Sequence, residues 1–334
     1  MTISKKAALL SIICGFIMAT CLVGQAADWV PKKQVVILAP AGAGGGLDMV
    51  ARTMAKIFDA KKIVNQPIMV ENKPGGGQVT GTVYFATREA KNEHMLFVSS
   101  TPFILNHIKK DGNSPIGPDQ IYPLALLQED YGVIAVRADS PYKTLKDVFD
   151  AVKANPTSVQ FVGGGAPGTW DHLNAVLLAL EAGISIKSLK YNTYDGGGEA
   201  LTALLGGHGD VMTSDVSSIK QYVLAKRVRV LGVSSTTRVK DDVVAKDFPT
   251  YKEMGFNVVT SNWRGVFLGK DVPADAKKYW GEKVAELVRT QEWKDELKKQ
   301  GVINTYKDAK GFYDLIKADQ AMYTKIYKEL GMAN

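Results

Sequence analysis

Cysteine is nearly absent from this chain of 334 residues, and both copies, Cys14 and Cys21, lie within the first 26 residues. The rest of the chain therefore has no disulfide, no thiol nucleophile and no cysteine metal site. The histidines are not spaced as paired metal ligands, and no Gly-x-Ser-x-Gly segment is present. Metal-site and hydrolase functions find no support, and we expect no metal ion. The four histidines are His94, His107, His172 and His208.

Long apolar runs are also missing after residue 26, where no stretch reaches the ~18 apolar residues that a spanning helix needs. At the N-terminus, lysines 5 and 6 precede an uncharged apolar segment over residues 7–23, and small residues follow up to Ala26. This arrangement is typical of a secretory signal peptide over residues 1–26. We therefore expect a periplasmic protein. A lipoprotein acylated at Cys21 is the less favoured alternative, because a threonine precedes that cysteine where a smaller residue is usual.

The chain has little excess of either charge sign. Its formal net charge is +7, and removing Lys5 and Lys6 with the signal peptide leaves +5. Lysines in the C-terminal part alternate with acids, as over residues 292–299, which is typical of a solvated helix face. We expect no nucleic-acid partner, and a mild positive field that suits an anionic ligand.

Short apolar strands alternate with amphipathic helices from residue 34 onward. This pattern predicts an α/β fold of mostly parallel sheets flanked by helices. A strand over residues 35–38 is followed by a helix whose predicted apolar face is Met49, Val50, Thr53, Met54, Ile57 and Phe58. The length favours two lobes. Towards the C-terminus, an apolar stripe between Phe312 and Leu330 is predicted to pack in the core.

Four glycine-rich loops lie at predicted strand-to-helix junctions, over residues 40–48, 75–77, 163–169 and 196–198. Free N–H groups at a helix start, together with the helix dipole, favour an anion there. The carboxyl ends of strands are also where open α/β sheets bind ligands. One such loop would fit a tight turn equally well. The recurrence favours an anion-binding cleft.

The spacing of these glycines does not fit the common phosphate loops. The dinucleotide pattern would need Gly or Ala at position 47 or 49, where Leu47 and Met49 stand, and no Gly-Lys-Ser or Gly-Lys-Thr is present. A nucleotide-dependent enzyme is therefore the disfavoured alternative, and we expect no cofactor.

Polar side chains near two of the loops allow more than one role. Asp48 stands at a helix start and is interpreted as an N-cap that holds the loop, because its charge would repel an anion. Arg52, four residues on, can pair with Asp48 or add positive field to the cleft. For Thr169 and His172, capping and packing on one side and ligand contact on the other both remain open.

Seven segments of the chain resemble the substrate-binding proteins of the tripartite tricarboxylate transporters, the TctC or Bug family. The resemblance covers essentially all of the chain after residue 26. The segments that carry it are Pro40 to Arg52, Val70 to Gly77, Ser99 to Pro102, Gly168 to Leu173, Tyr194 to Ala200, Leu204 to Val211 and Trp263-Arg264-Gly265.

The resemblance implies a two-lobed periplasmic binding fold, type II-like. Lobe 1 would comprise residues 27–131 and 262–334, and lobe 2 residues 132–261, with the ligand cleft between them. It further implies a monomer without enzymatic activity. This monomer would capture a small carboxylate, such as a citrate-like di- or tricarboxylate or an aromatic acid. It would deliver the ligand to a large and a small integral membrane subunit, and a ligand-sensing module for a membrane receptor is the alternative.

Ligand-binding positions follow from the matched motifs and from the loops. Two departures from the usual family pattern, at Trp170-Asp171 and over residues 109–118, lie where selectivity for the far end of the ligand is expected. The predicted ligand-binding residues are Gly44, Gly45, Gly46, Asp48, Ser99, Thr101, Gly164, Gly165, Thr169, His172, Asp195 and Ser214.

Overall fold

A computed structural model describes residues 29–44, 46–112, 114–164, 166–194, 197–239 and 244–333. The predicted sites Gly45, Gly165 and Asp195 and the signal peptide lie outside these ranges. The strands are β1 (Val35–Ala39), β2 (Ile68–Asn72), β3 (Met95–Ser100), β4 (Ile121–Arg137), β5 (Gln160–Gly164), β6 (Lys190–Tyr194), β7 (Val211–Asp215), β8 (Val228–Val233) and β9 (Ser261–Gly269). The α-helices are α1 (Gly46–Ala60), α2 (Val79–Arg88), α3 (Pro102–Ile108), α4 (Leu145–Ala154), α5 (Trp170–Glu181), α6 (Gly197–Leu205), α7 (Val216–Leu224), α8 (Ala274–Arg289), α9 (Gln291–Gln300) and α10 (Ala309–Glu329).

The strands form one hydrogen-bonded path in the order β2-β1-β3-β9-β4-β7-β5-β6, with β8 also paired to β4. Strand β4 is shared between the two halves of this path: residues 121–131 pair with β9, and residues 132–137 pair with β7 and β8. Strands β2, β1 and β3 are parallel, as are β7, β5 and β6, whereas the strands at the junction are antiparallel. The predicted α/β fold is confirmed.

The directions of the strands place both sets of carboxyl ends at the junction. Strand β9 runs away from the junction, and β3 is antiparallel to it, so β3 ends there with Ser100 opposite Arg264. In the other half, β7 is antiparallel to β4 and ends with Asp215 opposite Gly132. Because β1 and β2 run with β3, and β5 and β6 with β7, the helix starts that follow these strands face one another across the junction. Ligands of open α/β sheets bind at such ends.

Helix α1 shows how the apolar pattern builds the core. Its buried face contains Val50, Ala51, Met54, Ile57 and Phe58, which pack on the sheet together with α8 and α9. The predicted face was wrong at one position, because Met49 is 41% exposed. Successive helical residues are about 100° apart, so a stripe that includes both Val50 and Ala51 turns the preceding residue towards solvent.

Helix α10 confirms the predicted C-terminal stripe. Phe312, Ile316, Tyr323 and Ile326 are buried against α3, β4 and β9. None of the helices in the described ranges is both long enough and apolar enough to cross a membrane.

Candidate functional site

The first glycine loop is held by a carboxylate from the helix that follows it. Asp48 is 1% exposed and accepts hydrogen bonds from the Gly44 N–H (2.8 Å), from Arg52 Nε (2.8 Å) and from Asn72 Nδ2 (2.8 Å). Asp48 is the third residue of α1, so the prediction that it is the N-cap was wrong. Its side chain instead reaches back to a loop N–H upstream of the helix. The hydrogen bond from Arg52 is the main reason that the pKa of Asp48 falls to about 2.

The hydrogen bonds among Gly44, Asp48 and Arg52 fix the conformation of this loop. Gly44 has φ +81°, a conformation that favours glycine, and its N–H is bonded to Asp48. Arg52 also donates to Asn72 Oδ1 at 3.3 Å. The start of α1 at Gly46 follows directly and carries helix N–H groups that have no partner within the helix.

The third glycine loop is held in the same way. The Gly164 N–H donates to Asp171 Oδ2 at 2.7 Å, and the Gly168 N–H donates to His172 Nδ1 at 3.0 Å. Burial lowers the pKa of His172 to about 4, so the neutral ring accepts this bond at neutral pH. Thr169 is the N-cap residue of α5, but its hydroxyl donates to Ala166 O instead of capping the helix.

Two predicted hydroxyls at the end of β3 have partners inside the protein. Ser99 is fully buried and donates to Gln78 Oε1 at 2.8 Å. Thr101 is fully buried, donates to Ser261 O at 3.3 Å and accepts from the Trp263 N–H at 3.1 Å. Thr101 thus joins the start of α3 to β9, and its contact with a ligand stays a prediction.

The role of Thr101 can be tested by its loss. Thr101→Val should lower the free energy of unfolding by about 1–3 kcal/mol, because the buried Trp263 N–H would lose its acceptor. Urea unfolding followed by tryptophan fluorescence measures this, and Thr101→Ser is the matched control that keeps the oxygen. If Thr101→Val weakened ligand binding without a loss of stability, the threonine would belong to the binding site instead.

The opposite half contributes two further helix starts. Ser214, near the end of β7, is 2% exposed, and its Oγ lies 3.5 Å from the position that a Cβ on Gly197 would take at the start of α6. The next residue, Asp215, precedes α7 and accepts from Trp170 Nε1 and from Asn262 Nδ2. The predicted residue Ser214 therefore lies between the starts of α6 and α7, beside the junction.

Three carboxylates gather where the two halves meet. Asp215 lies near Asp130 and Asp171, and its pKa is raised, first by burial and then by these two charges. Burial also raises the pKa of Asp171 to about 7. Asp130 accepts from the N–H and hydroxyl of Ser217 in α7. Because a raised pKa favours the uncharged carboxyl, burial limits the negative charge that Asp171 and Asp215 bring to the junction.

Arg264 brings a positive charge to this junction, and it was not among the predicted binding residues. It lies in β9, and its Nη2 is 3.1 Å from the position that a Cβ on Gly46 would occupy at the start of α1. Its charge also lowers the pKa of Asp215, against the larger effect of burial. The motif Trp263-Arg264-Gly265 had marked the segment, but which side chain faced the cleft depends on pairing in the sheet.

Helix starts from two α/β halves face each other where β4 passes from one half to the other and β9 begins. This arrangement is that of a solute-binding protein. The chain belongs to the tripartite tricarboxylate transporter family receptors, whose model matches residues 50–332. Members of this family are periplasmic proteins that bind a solute and are not enzymes. The expected class is confirmed.

Individual relatives agree with this assignment. A UPF0065 protein encoded between ttuE and ttuC′ in Agrobacterium vitis is 31% identical over 276 residues, which cover 80% of this chain and 74% of the relative. The crystal structure of a TctC solute-binding protein from Polaromonas covers 90% of this chain and 99% of its own, with 25% identity and a TM-score of 0.75.

Two solved structures with a similar fold contain a ligand. A Rhodopseudomonas palustris protein with adipate covers 92% of this chain and 99% of its own, with 21% identity and a TM-score of 0.72. MatC from the same species, with bound malate, covers 89% and 99%, with 22% identity and a TM-score of 0.68.

Proposed function

We propose that the protein captures a small dicarboxylate between its two halves and delivers it to the membrane subunits of a tripartite transporter. The observation that carries this proposal is the convergence of the starts of α1, α5, α6 and α7 on the junction. Each helix start has N–H groups without a partner inside the helix and a partial positive charge, which stabilise a carboxylate. In α7, the Ser217 N–H already donates to Asp130. Adipate and malate in two proteins of similar fold support the ligand class.

Closure of the two halves is the proposed mechanism. Strand β4 changes partners after Tyr131, and β9 begins at Ser261. These are the two points where the predicted lobe boundaries lie, and we propose them as the hinge. A ligand that contacts both halves favours the closed form by the difference between its affinities for the two forms. The closed form then presents a changed surface to the membrane subunits.

A ligand panel tests the proposal on protein purified from the periplasm. Thermal unfolding is measured in the presence of mono-, di- and tricarboxylates, aromatic acids and nucleotides. We expect adipate or malate to be among the compounds that stabilise the protein. A ligand at 100 times its Kd adds about 2.7 kcal/mol to the free energy of unfolding. Stabilisation by nucleotides alone, or by no carboxylate, would contradict the proposal.

A substitution at the start of α1 locates the site. Gly46→Val should abolish the stabilisation by the carboxylate, because its side chain would fill the space beside Arg264. Gly281→Ala in α8 is the matched control, since its Cβ would meet Leu124 at an ordinary 3.9 Å. Isothermal titration calorimetry of both variants measures the effect. Equal affinities in the two variants would move the site away from α1.

Delivery is tested separately in cells. Deleting the gene should abolish uptake of the radiolabelled carboxylate, and expressing Gly46→Val should not restore it although the protein is exported. Normal uptake in the deletion strain would instead favour a sensory role.

A further inference from the structure

One face of the β4–β9 pair carries a row of polar side chains at the junction. Gln128 lies directly opposite Arg264, and Asp130 lies directly opposite Asn262. Side chains that lie opposite each other in an antiparallel pair project from the same face, and so do residues two apart along a strand. All four side chains therefore lie on one face of the sheet. Helix α1 covers this face at the pair Gln128 and Arg264, and α7 covers it at the pair Asp130 and Asn262.

The amide of Gln128 is buried without a partner. Its side chain is 1% exposed, and within the described residues neither Nε2 nor Oε1 has a hydrogen-bond partner. The same holds for Oδ1 of Asn262 on the neighbouring rung. Buried polar groups are nearly always hydrogen-bonded, and an exception calls for an explanation, such as a functional role or a bound water or ion. An unpaired donor and acceptor under Arg264 therefore point to a polar group that binds between them.

The position of Arg264 indicates the charge of that group. Its guanidinium lies beside the start of α1, where the helix dipole is positive. Two positive fields at one place repel each other unless an anion lies between them. In the described part of the chain, no hydrogen bond or ion pair within 4 Å engages the guanidinium, and its charge lowers the pKa of Asp215.

We propose that Arg264 and Gln128 bind one carboxylate of the ligand directly, and thereby set the preference of this chain for a fully ionised carboxylate. This inference rests on the proposed function. The planar guanidinium offers two parallel N–H donors to a carboxylate. Nε2 of Gln128 adds a third donor from below, and the N–H groups at the start of α1 complete the site.

The alternative is that Arg264 only offsets the charge of the nearby acids. It lowers the pKa of Asp215, and Asp130 and Asp171 lie close to that residue. In that case, removing the guanidinium would change the pH dependence of stability and leave the ligand affinity unaltered. The two roles can therefore be separated by measuring affinity directly.

The experiment is calorimetric titration of the full exported protein with adipate and malate, and with the monoamide of each acid. We expect the wild type to bind the acid at least tenfold more tightly than the monoamide, with an affinity that falls as salt is raised. Arg264→Gln should weaken binding of the acid on the order of 100-fold. It should also remove the preference over the monoamide, and Arg264→Lys should restore part of both.

Two further variants serve as controls. Arg289→Gln in α8 makes the same change of charge at an exposed position and should bind as the wild type does. Gln128→Leu should weaken binding about tenfold, since one neutral donor is lost. If Arg264→Gln does not fold, the affinities of Arg264→Lys and Gln128→Leu for the acid and the monoamide decide the matter.

The outcomes separate the two proposals. The inference is overturned, and the proposed function stands, if the wild type binds the acid and the monoamide with equal affinity. The same holds if Arg264→Gln binds the acid as tightly as the wild type does. If the wild type binds no carboxylate at all, both fail together.

Discussion

Replacing Asp48 with asparagine is expected to lower the free energy of unfolding by about 3 kcal/mol and to abolish carboxylate binding. The buried carboxylate accepts from Gly44, Arg52 and Asn72, and it is the group that fixes the loop before α1. Asparagine offers one acceptor oxygen, so its Nδ2 would face donors. Hydrogen bonds to a charged group contribute about 1.5–3 kcal/mol each. The Arg52 side chain is 55% exposed, and its share is accordingly taken as small.

Urea unfolding at pH 7 and calorimetric titration measure the two effects. Asp59→Asn is the matched control on the same helix, because Asp59 pairs with Lys62 in the open and is 78% exposed. Its expected loss of stability is at most about 0.5 kcal/mol. Equal stabilities of the two variants would show that the loop is fixed by other contacts.

The effect of Asp48 should also depend on pH. Its pKa in the folded protein is about 2, below the ordinary value of 3.8. A depressed carboxyl pKa contributes stability that is present above about pH 4 and is lost as the pH falls through about 2. The difference in unfolding free energy between the wild type and Asp48→Asn should therefore be constant from pH 5 to 7 and shrink towards pH 2. A constant difference down to pH 2 would contradict the assigned cause.

The sequence was sufficient to predict the elements whose pattern is local. Helix α1 and the core side of α10 follow from apolar spacing, and the four glycine loops do lie between a strand and a helix. The preference for Asp48 as a loop-holding residue agrees with its three hydrogen bonds. These features depend on residues that are close in the chain, so the pattern of one segment was enough.

The parts that were missed depend on pairing between distant segments. The first half of β4 contains Pro123 and ends in polar residues, so it does not read as a strand, yet β9 pairs with it from Ile121 to Tyr131. This pairing also puts Gln128 beside Arg264. Likewise, the carboxylate of Asp171 accepts from the Gly164 N–H, a contact between residues seven apart that the sequence pattern does not indicate, and ligand contact by Gly164 stays a prediction. Nothing in the spacing indicates which loop N–H groups are already bonded.

A half-buried acid on α10, Asp319, should limit the stability of the protein at alkaline pH. Asp319 accepts from Trp263 Nε1 at 2.9 Å, and burial raises its pKa to about 7, with a further contribution from the charge of Glu129. Trp263 lies in β9, next to the proposed ligand residue Arg264. A carboxyl whose pKa is raised on folding contributes stability that is fully present below the ordinary pKa of about 4. That stability is lost as the pH rises through about 7.

Asp319→Asn should therefore stabilise the protein at pH 8 by about 2 kcal/mol, relative to its effect at pH 4. Each unit of pKa shift corresponds to about 1.4 kcal/mol, and the expected gain is set below the full shift because the group is partly exposed. The asparagine keeps an oxygen that can accept from Trp263, so β9 should remain in place and the carboxylate affinity should not change. Urea unfolding from pH 4 to 8 measures the gain, and Asp314→Asn, exposed on the same helix, is the control. A gain that does not vary with pH would show that the pKa of Asp319 is not raised on folding, and a loss at pH 8 would show that the ionised carboxylate stabilises β9.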